Sequence, residues 1–284
     1  TVGNYVLIFG KLGLPALGVT GAAAATLLSR AVEFALAFGY AFRCRTVPLQ
    51  WNAILHPGVA MFRRFLRYSA PVLVNETIWG VGYSMMTVIM GHMASSGELI
   101  AAYTVAGNID KLTTAGIFGV ANAVAVIIGK EIGTGNRDGV FDIGRALCFT
   151  AFCFGTALGA VEFVLFLTVL RPYVLPLFKL TAASARLCTI MVISYAVSMP
   201  LHGYTSTMII GVLRGGGDVR ASLVLDNIPL WCFTLPTMCL LGLVLRVPNE
   251  WFCPCVMIEH VVKMPLGLWR VHSGKWVHDI TRTD

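Results

Sequence analysis

Long apolar runs separated by short polar stretches dominate the chain. Each run continues for about twenty residues, which is the length that a helix needs to cross the hydrocarbon core of a bilayer. The alternation over about ten residues that is typical of membrane β-strands is not the pattern here. The runs predict seven complete spans, near residues 18–42, 68–93, 99–128, 146–170, 187–212, 223–245 and 251–269. We therefore expect an all-α polytopic membrane protein.

Two stretches near the start depart from this pattern. Residues 2–9 are apolar but too short to span, and the chain opens at Thr1 without a methionine or a charged leader, so we expect a helix cut by truncation. Residues 43–67 carry helix-breaking prolines, and then arginines alternating with apolar residues, which predicts a linker with a short amphipathic helix on the membrane surface. The predicted regions are thus 1–45, the linker 46–67, and 68–284.

Composition supports a membrane protein and removes nucleic acid as a partner. Hydrophobic residues make up 57% of the chain, charged residues only 12%, and mean hydropathy is +0.77, all far from a soluble globular domain. The net charge of +7 comes from Lys and Arg in the short connections between spans, where it reports orientation. Alternate connections hold thirteen such residues against five in the opposite set. The linker and the C-terminus are therefore predicted to be cytoplasmic, in a multi-pass protein of the plasma membrane.

One carboxylate lies inside a stretch that is otherwise apolar enough to cross a membrane, in PVLVNETIWGVGY at residues 71–83. A charge at the bilayer centre costs about 2.5–3.5 kcal/mol on insertion scales, so an ionisable residue there indicates function. Helical spacing puts Glu76, Trp79 and Tyr83 on one face. We expect that face to line a polar cavity. The alternative is a carboxyl buried between helices and satisfied by a hydroxyl or an amide.

Three further acids fall within predicted spans: Asp110, which is followed by Lys111, then Glu162 and Asp226. Each is a candidate for transport, and the alternative is compensation by a nearby basic or hydroxyl side chain. Asp226 is favoured because the prolines that follow it predict a bent helix.

Histidines and basic residues inside spans give weaker signals. His202 follows Pro200, where we expect the helix to break and line a cavity with a freed carbonyl. Glu259, His260 and Lys263 are predicted to form a local charge network near the cytoplasmic end. A further pair, Arg30 and Glu33, lies one turn apart, and an internal ion pair is favoured over a role with substrate.

Other motifs that look chemical have simpler explanations. The glycine-rich stretches 129–136 and 211–218 lack the spacing of a phosphate-binding loop and predict helix ends with tight turns. Eight cysteines are scattered through apolar runs without metal-ligand spacing, so we expect small core residues and no metal site. No HExxH, GxSxG or paired catalytic set is present in the sequence. We expect neither an enzyme nor a bound cofactor.

Five blocks of sequence resemble the multidrug and toxic compound extrusion (MATE) family of secondary transporters. They are LIFGKLGLPALGVTGAAAATLLSR, PVLVNETIWGVGY, NAVAVIIGKEIGTGN, GVLRGGGDVRASLVLDNIPLW and SGKW, in order along the whole chain. The resemblance implies twelve helices in two six-helix lobes. This chain would hold the end of the fifth helix, the sixth, the interlobe linker and the complete C-terminal lobe.

The resemblance also implies a function and a site. Such proteins export organic cations and other amphipathic compounds in exchange for Na⁺ or H⁺. Glu76 matches the acid on the seventh helix that the NorM-like branch uses for cation coupling, so it is the expected site of either a transient Na⁺ ion or a proton. The aspartate common on that branch's tenth helix has no match at residues 200–206, which offer His202 and Tyr204. The expected cavity residues are Asn75, Trp79, Tyr83, Asp110, His202, Tyr204 and Asp226.

Two alternatives to the antiporter stay open on the sequence. A flippase of the same superfamily, which moves lipid-linked pyrophosphates such as lipid-linked oligosaccharides, needs several basic residues facing the cavity, and Lys111 is the main one that we identify inside a span. The second alternative is that the chain as given is an inactive fragment of a transporter. The expected partners are membrane lipid and a small cationic or amphipathic substrate, with a monomeric protein.

Overall fold

A computed structural model describes residues 6–7, 10, 15, 17–43, 58–135 and 137–277. Most of the predicted helix tail at 2–9, most of the predicted linker and residues 278–284 lie outside these ranges. The described residues are helical and contain no strand, apart from one isolated bridge between Gly217 and Val277. The predicted all-α fold is confirmed.

The helices follow the predicted runs and extend beyond several of their ends. They are α1 (Gly18–Arg43), α2 (Val59–Gly91), α3 (Ser96–Gly133), α4 (Arg137–Leu165), α5 (Ala182–Ser206), α6 (Val219–Ile228), α7 (Leu235–Cys239), α8 (Asn249–Phe252) and α9 (Ile258–His272). Wider π-helical turns continue some of them, at Phe166–Val174 after α4, Thr207–Arg214 after α5, and Pro229–Thr234 and Leu240–Val244 on either side of α7. Short 3₁₀ turns occupy Leu175–Phe178 and Cys253–Met257.

The glycine-rich stretches end helices, as predicted. α3 stops at Gly133, and Gly135 takes a φ of 83°, a left-handed conformation that favours glycine. The second stretch turns through Gly217, whose φ is 84°. Asp218 then caps α6 by accepting a hydrogen bond from the backbone N–H of Ala221.

The helix break predicted at Pro200 is absent. α5 continues through Pro200 to residue 206, so the helix does not break before His202. The carbonyl that Pro200 leaves without a helical donor is that of Ala196, and it faces Gly159 of α4, where the absence of a side chain lets the backbones approach closely. α2 likewise runs through Pro71, so the amphipathic helix expected at the end of the linker and the span expected from residue 68 form one helix.

Five helical stretches are long and apolar enough to cross a membrane, by length and composition. They are Gly18–Arg43, Ser96–Gly133, Gly139–Phe178, Ala182–Arg214 and Val219–Val244. The predicted spans that carry Glu76 and Glu259 fall outside this set; the helix that carries Glu259, α9, has only 15 residues. Large apolar residues also cover much of the exterior, as in a protein that faces lipid.

The chain divides into two compact units, Thr1–Phe65 and Leu66–Asp284. The first contains α1, where Arg30 pairs with Glu33 at 2.7 Å; the predicted pairing is confirmed, but both side chains are exposed rather than internal. The division of the chain into an N-terminal lobe, a linker and a C-terminal lobe stays a prediction.

In the second unit, α5 is the central helix and packs against both α3 and α4. Glycines of α4 and α5 make the seam between them tight, because a side chain at Gly155 or Gly203 would collide with the backbone of the other helix. Two buried clusters flank this framework. One includes Met86, Leu99, Met191 and Phe252, and the other includes Ile128, Met208, Val212 and Trp276.

Candidate functional site

A cavity of about 370 Å³ opens within the second unit. Its wall includes Tyr195 and Val256 of the first cluster and Ile209 of the second, so it borders both. Seven charged side chains line it: the acids Glu76, Asp110, Asp226 and Glu259, and the bases Lys111, Arg214 and Lys263. Such a density of charge within apolar helices marks a functional cavity, because each charge is costly to bury without a partner.

Arg214 connects Glu76 to Asp226 on one side of the cavity. Its Nη2 lies 2.8 Å from Glu76 Oε1 and 3.6 Å from Asp226 Oδ2. The arginine and aspartate side chains are only 17% and 13% exposed, whereas that of Glu76 is 55% exposed. Glu76 is therefore paired, and it is the most accessible acid of this group.

Lys263 joins the deeper acids. Its Nζ lies 2.7 Å from Asp226 Oδ1 and 2.6 Å from Glu259 Oε1, and the Lys263 and Glu259 side chains are 5% and 1% exposed. The Tyr83 hydroxyl donates to Glu259 Oε2 at 3.2 Å. These contacts extend the Arg214 pairings into one continuous network across α2, the π-helical segment after α5, α6 and α9. Its members are the acids Glu76, Asp226 and Glu259 and the bases Arg214 and Lys263.

Asn75 supports the network from behind the cavity wall. Its side-chain amide donates to Asp226 Oδ2 at 2.9 Å, and its own carbonyl oxygen accepts from the amide of Asn227. Asn75 is 1% exposed, so these bonds fix the Asp226 carboxylate from inside the protein.

Aromatic rings form the remaining wall. Trp79 and Tyr83 lie 4.2 Å apart between ring centroids, one turn apart on α2. The imidazoles of His202 and His260 stack at 4.4 Å, and Thr205 is within 3.3 Å of His260 Nδ1. Ring faces next to carboxylates suit an organic cation, since both attract positive charge.

The structure brings most of the predicted site residues together. Glu76, Trp79, Tyr83, Asp110, His202 and Asp226 all line the cavity. Asn75 does not line the cavity, but it contacts Asp226, which does. Tyr204 lies elsewhere: two residues beyond His202 on α5, it faces the opposite side of the helix and is buried in the second cluster.

Some cavity residues were missed from the sequence. The sequence assigns Arg214 to a connection, because it follows the span predicted at residues 187–212. In the structure it ends a helical segment and faces the cavity. The predicted Glu259–Lys263 pair is present, but it extends to Asp226, and His260 faces the cavity instead of remaining in a separate local network. The four-residue spacing of Glu259 and Lys263 was a usable signal for their pairing. No spacing in the sequence relates either residue to Asp226.

Comparison with known proteins identifies the family. The MatE family model matches residues 71–235, more than half of the chain. The chain belongs to the MATE family. A probable multidrug resistance protein NorM of Thermotoga maritima is 23% identical over 280 residues, covering 96% of this chain and 57% of that protein. The chain spans about half the length of the curated relatives it matches.

Solved MATE structures have the same fold. A crystal structure of a MATE protein in complex with MaL6 superposes with a TM-score of 0.78 at 21% identity, over 96% of this chain and 61% of that one. A superfamily transporter from Pyrococcus furiosus, described as having a binding pocket of reverse polarity, gives 0.75 at 19% identity, over 96% and 60%. The predicted MATE-type helix bundle in partial form, and a multi-pass membrane protein, are therefore confirmed.

Among the described residues of this MATE chain, no three His, Cys, Asp or Glu side chains are grouped as a metal site would require. Three of the four acids that line the cavity are instead paired with Arg214 and Lys263.

Proposed function

We propose that this chain forms the C-terminal half of a secondary active antiporter that exports organic cations or other amphipathic compounds in exchange for Na⁺ or H⁺. The observation that carries the proposal is the cavity itself, in which an acid-rich network lies beside aromatic rings inside a MATE helix bundle. Several curated relatives are named as probable multidrug resistance proteins, and we propose drug export for this chain's transporter as well.

The charge balance favours a cation. Four acids and three bases line the cavity, so with all seven ionised the wall carries one net negative charge. Arg214 acts as an internal cation that neutralises Glu76 at 2.8 Å. A substrate cation or a coupling ion that binds Glu76 must displace it. Binding is therefore competitive, and one carboxylate serves substrate and coupling ion in turn.

Transport then requires that Glu76 face the two sides of the membrane alternately. Rocking of two lobes about the cavity achieves this in transporters built from repeats. The linker and the C-terminus are placed on the cytoplasmic side by the distribution of basic residues, and we place the protein in the plasma membrane as a monomer. The opposing lobe would lie outside this chain, which spans about half the length of its curated relatives.

The test is Glu76→Gln in the full-length transporter, reconstituted in liposomes. We expect loss of ion-driven efflux of a fluorescent organic cation, because the amide keeps the shape of the side chain but cannot exchange cations. Imposing a pH gradient or a Na⁺ gradient separately identifies the coupling ion. Glu98→Gln is the matched control, since Glu98 lies in the first turn of α3 outside the cavity lining. Wild-type efflux from Glu76→Gln, with the protein folded, would disprove the assignment.

A flippase for lipid-linked pyrophosphates is the second candidate, and one observation favours it. Arg214 and Lys263 join Lys111 in the cavity wall, so the sequence-based argument that basic residues are scarce there is wrong. Arg214 and Lys263 are already paired with acids. Of the three bases in the cavity wall, Lys111 is thus the one that makes no ion pair with a described residue. Inhibition of cation efflux by a pyrophosphate lipid, relieved in Lys111→Ala, would favour the flippase.

A further inference from the structure

A buried acid outside the cavity lies at the junction of α3, α4 and α5. Glu162 is 2% exposed and continues the row of Gly155 and Gly159, at helical spacing, on the face of α4 that packs against α5. One of its oxygens, Oε2, is 2.8 Å from the Thr113 hydroxyl of α3, and the other, Oε1, has no hydrogen-bond partner among the described residues. This carboxyl is not used by the network around Glu76.

The hydroxyl of Thr113 has two acceptors in reach but only one hydrogen. It lies 3.0 Å from the backbone carbonyl oxygen of Asp110 and 2.8 Å from Glu162 Oε2. An ionised Glu162 would compete with that carbonyl for the single hydrogen. A protonated Glu162 resolves the conflict, because its own O–H donates to Thr113 while Thr113 donates to Asp110. The lone oxygen is then a neutral carbonyl, which is far less costly to bury than a charge.

No base compensates Glu162 among the described residues. The charged group that acts on it is Asp110 of α3, which has the same sign. Lys111 of the same helix lines the cavity and makes no ion pair with Glu162. The one arginine of α5, Arg186, lies 3.8 Å from Glu250.

The remaining elements packed against α4 are no better placed to help. Arg214, in the π-helical segment after α5, is held by Glu76 and Asp226. On α9, Lys263 pairs with Glu259 and Asp226, Arg270 pairs with Asp218, and His260 and His272 face other partners. An unpaired charge at this depth of a membrane helix is costly, and a proton removes it.

We propose that Glu162 is a proton-binding site, occupied at neutral pH as a neutral carboxylic acid that donates to Thr113. The site lies behind the cavity wall: Asp110 lines the cavity, and the Thr113 hydroxyl contacts the backbone carbonyl of Asp110. In the antiporter proposed above, this proton exchanges with the cavity at Asp110. Only this exchange rests on the antiporter. The chain then has a proton site that is separate from Glu76.

Infrared spectroscopy of the full-length transporter in lipid at neutral pH tests the proposal directly. A neutral carboxylic acid has a C=O stretching band that a carboxylate lacks, and the band moves when exchangeable protons are replaced by deuterium. We expect the band in the wild type and its loss in Glu162→Gln. Glu131→Gln, at the far end of α3, is the matched control and should keep the band in full.

Thr113→Val gives a second reading that does not depend on how the glutamate variant folds. Loss of the hydroxyl acceptor should shift the band to higher frequency, whereas Thr104→Val should leave it in place. Thr104 is the matched control because it is an exposed threonine of α3 that bonds the carbonyl of Ile100. A wild type without the band, a band that survives Glu162→Gln, or one that Thr113→Val leaves unshifted would overturn the proposal.

These measurements need no transport, so they separate the two proposals. If ion-driven efflux is absent but the band behaves as expected, the proton site stands and the antiporter fails. If efflux depends on Glu76 but the band is absent, the antiporter stands and the proton site fails.

Discussion

Lys263→Met should strongly destabilise the protein, because this lysine is shared by two buried acids. Its ammonium group lies 2.7 Å from Asp226 and 2.6 Å from Glu259. Methionine fills most of the same volume, so packing is largely kept and the change removes mainly the charge. After the substitution Asp226 still has Arg214 at 3.6 Å and the amide of Asn75, whereas Glu259 retains, among the described residues, only the Tyr83 hydroxyl.

The expected loss follows from the asymmetry of buried ion pairs. Removing one partner of a buried pair typically costs about 3–5 kcal/mol, because the other charge is left without compensation. Glu259, whose side chain is 1% exposed, meets that condition, so we expect a loss within this range.

The assay is reversible unfolding of the purified protein in mixed micelles, with the free energy of unfolding measured at neutral pH. The double variant Lys263→Met/Glu259→Gln should recover a large part of the loss, because it removes the orphaned charge as well. Lys130→Met is the matched control, as this lysine is exposed in the last turn of α3.

Wild-type stability of Lys263→Met at neutral pH would refute the reasoning, and so would a double variant that is no more stable than the single one. Either result would mean that the acids are already neutral or hydrated in the folded protein.

Two further predictions concern packing. Trp276→Ala should cost about 3–5 kcal/mol of stability, because this ring is fully buried against Gly144 and Gly216; Trp269→Ala, at a position 70% exposed, should cost far less in the same unfolding assay. Gly159→Ala should destabilise by about 1–3 kcal/mol, since the added methyl group would press against the carbonyl of Ala196, whereas Gly119→Ala, with open space around it, should be neutral or stabilising. Equal effects within either pair would contradict the packing described.

The sequence was sufficient for the parts of the fold that depend on local pattern. The length of the apolar runs predicts the helices, and the cost of burying a charge singles out Glu76 without knowledge of what surrounds it. Helical spacing also brings Trp79 and Tyr83 to the same face. Each of these inferences uses residues close together in the chain, where the geometry of one helix fixes their relation.

The partners of Glu76 could not be predicted in the same way. Arg214 is 138 positions further along the chain, and whether it faces loop or cavity depends on how the end of its helix is wound. Lys263 and Asp226 meet only because α6 and α9 cross at that height. Charge pairing between helices is a property of their packing, which no single-helix periodicity encodes.

The wide turns after α5 have a mechanical consequence. A π-helical segment is wound more loosely than an α-helix, so rewinding Thr207–Arg214 as ordinary α-helix would rotate Arg214 by at least about 100°, the rotation of one α-helical residue, relative to α5. Arg214 would swing out of reach of both Glu76 and Asp226, while the three glycines that follow absorb the twist. A change of winding in this segment would thus uncover the Glu76 carboxylate, and it would have to be coupled to repacking of the second cluster, because Met208 and Val212 of the same segment are buried there.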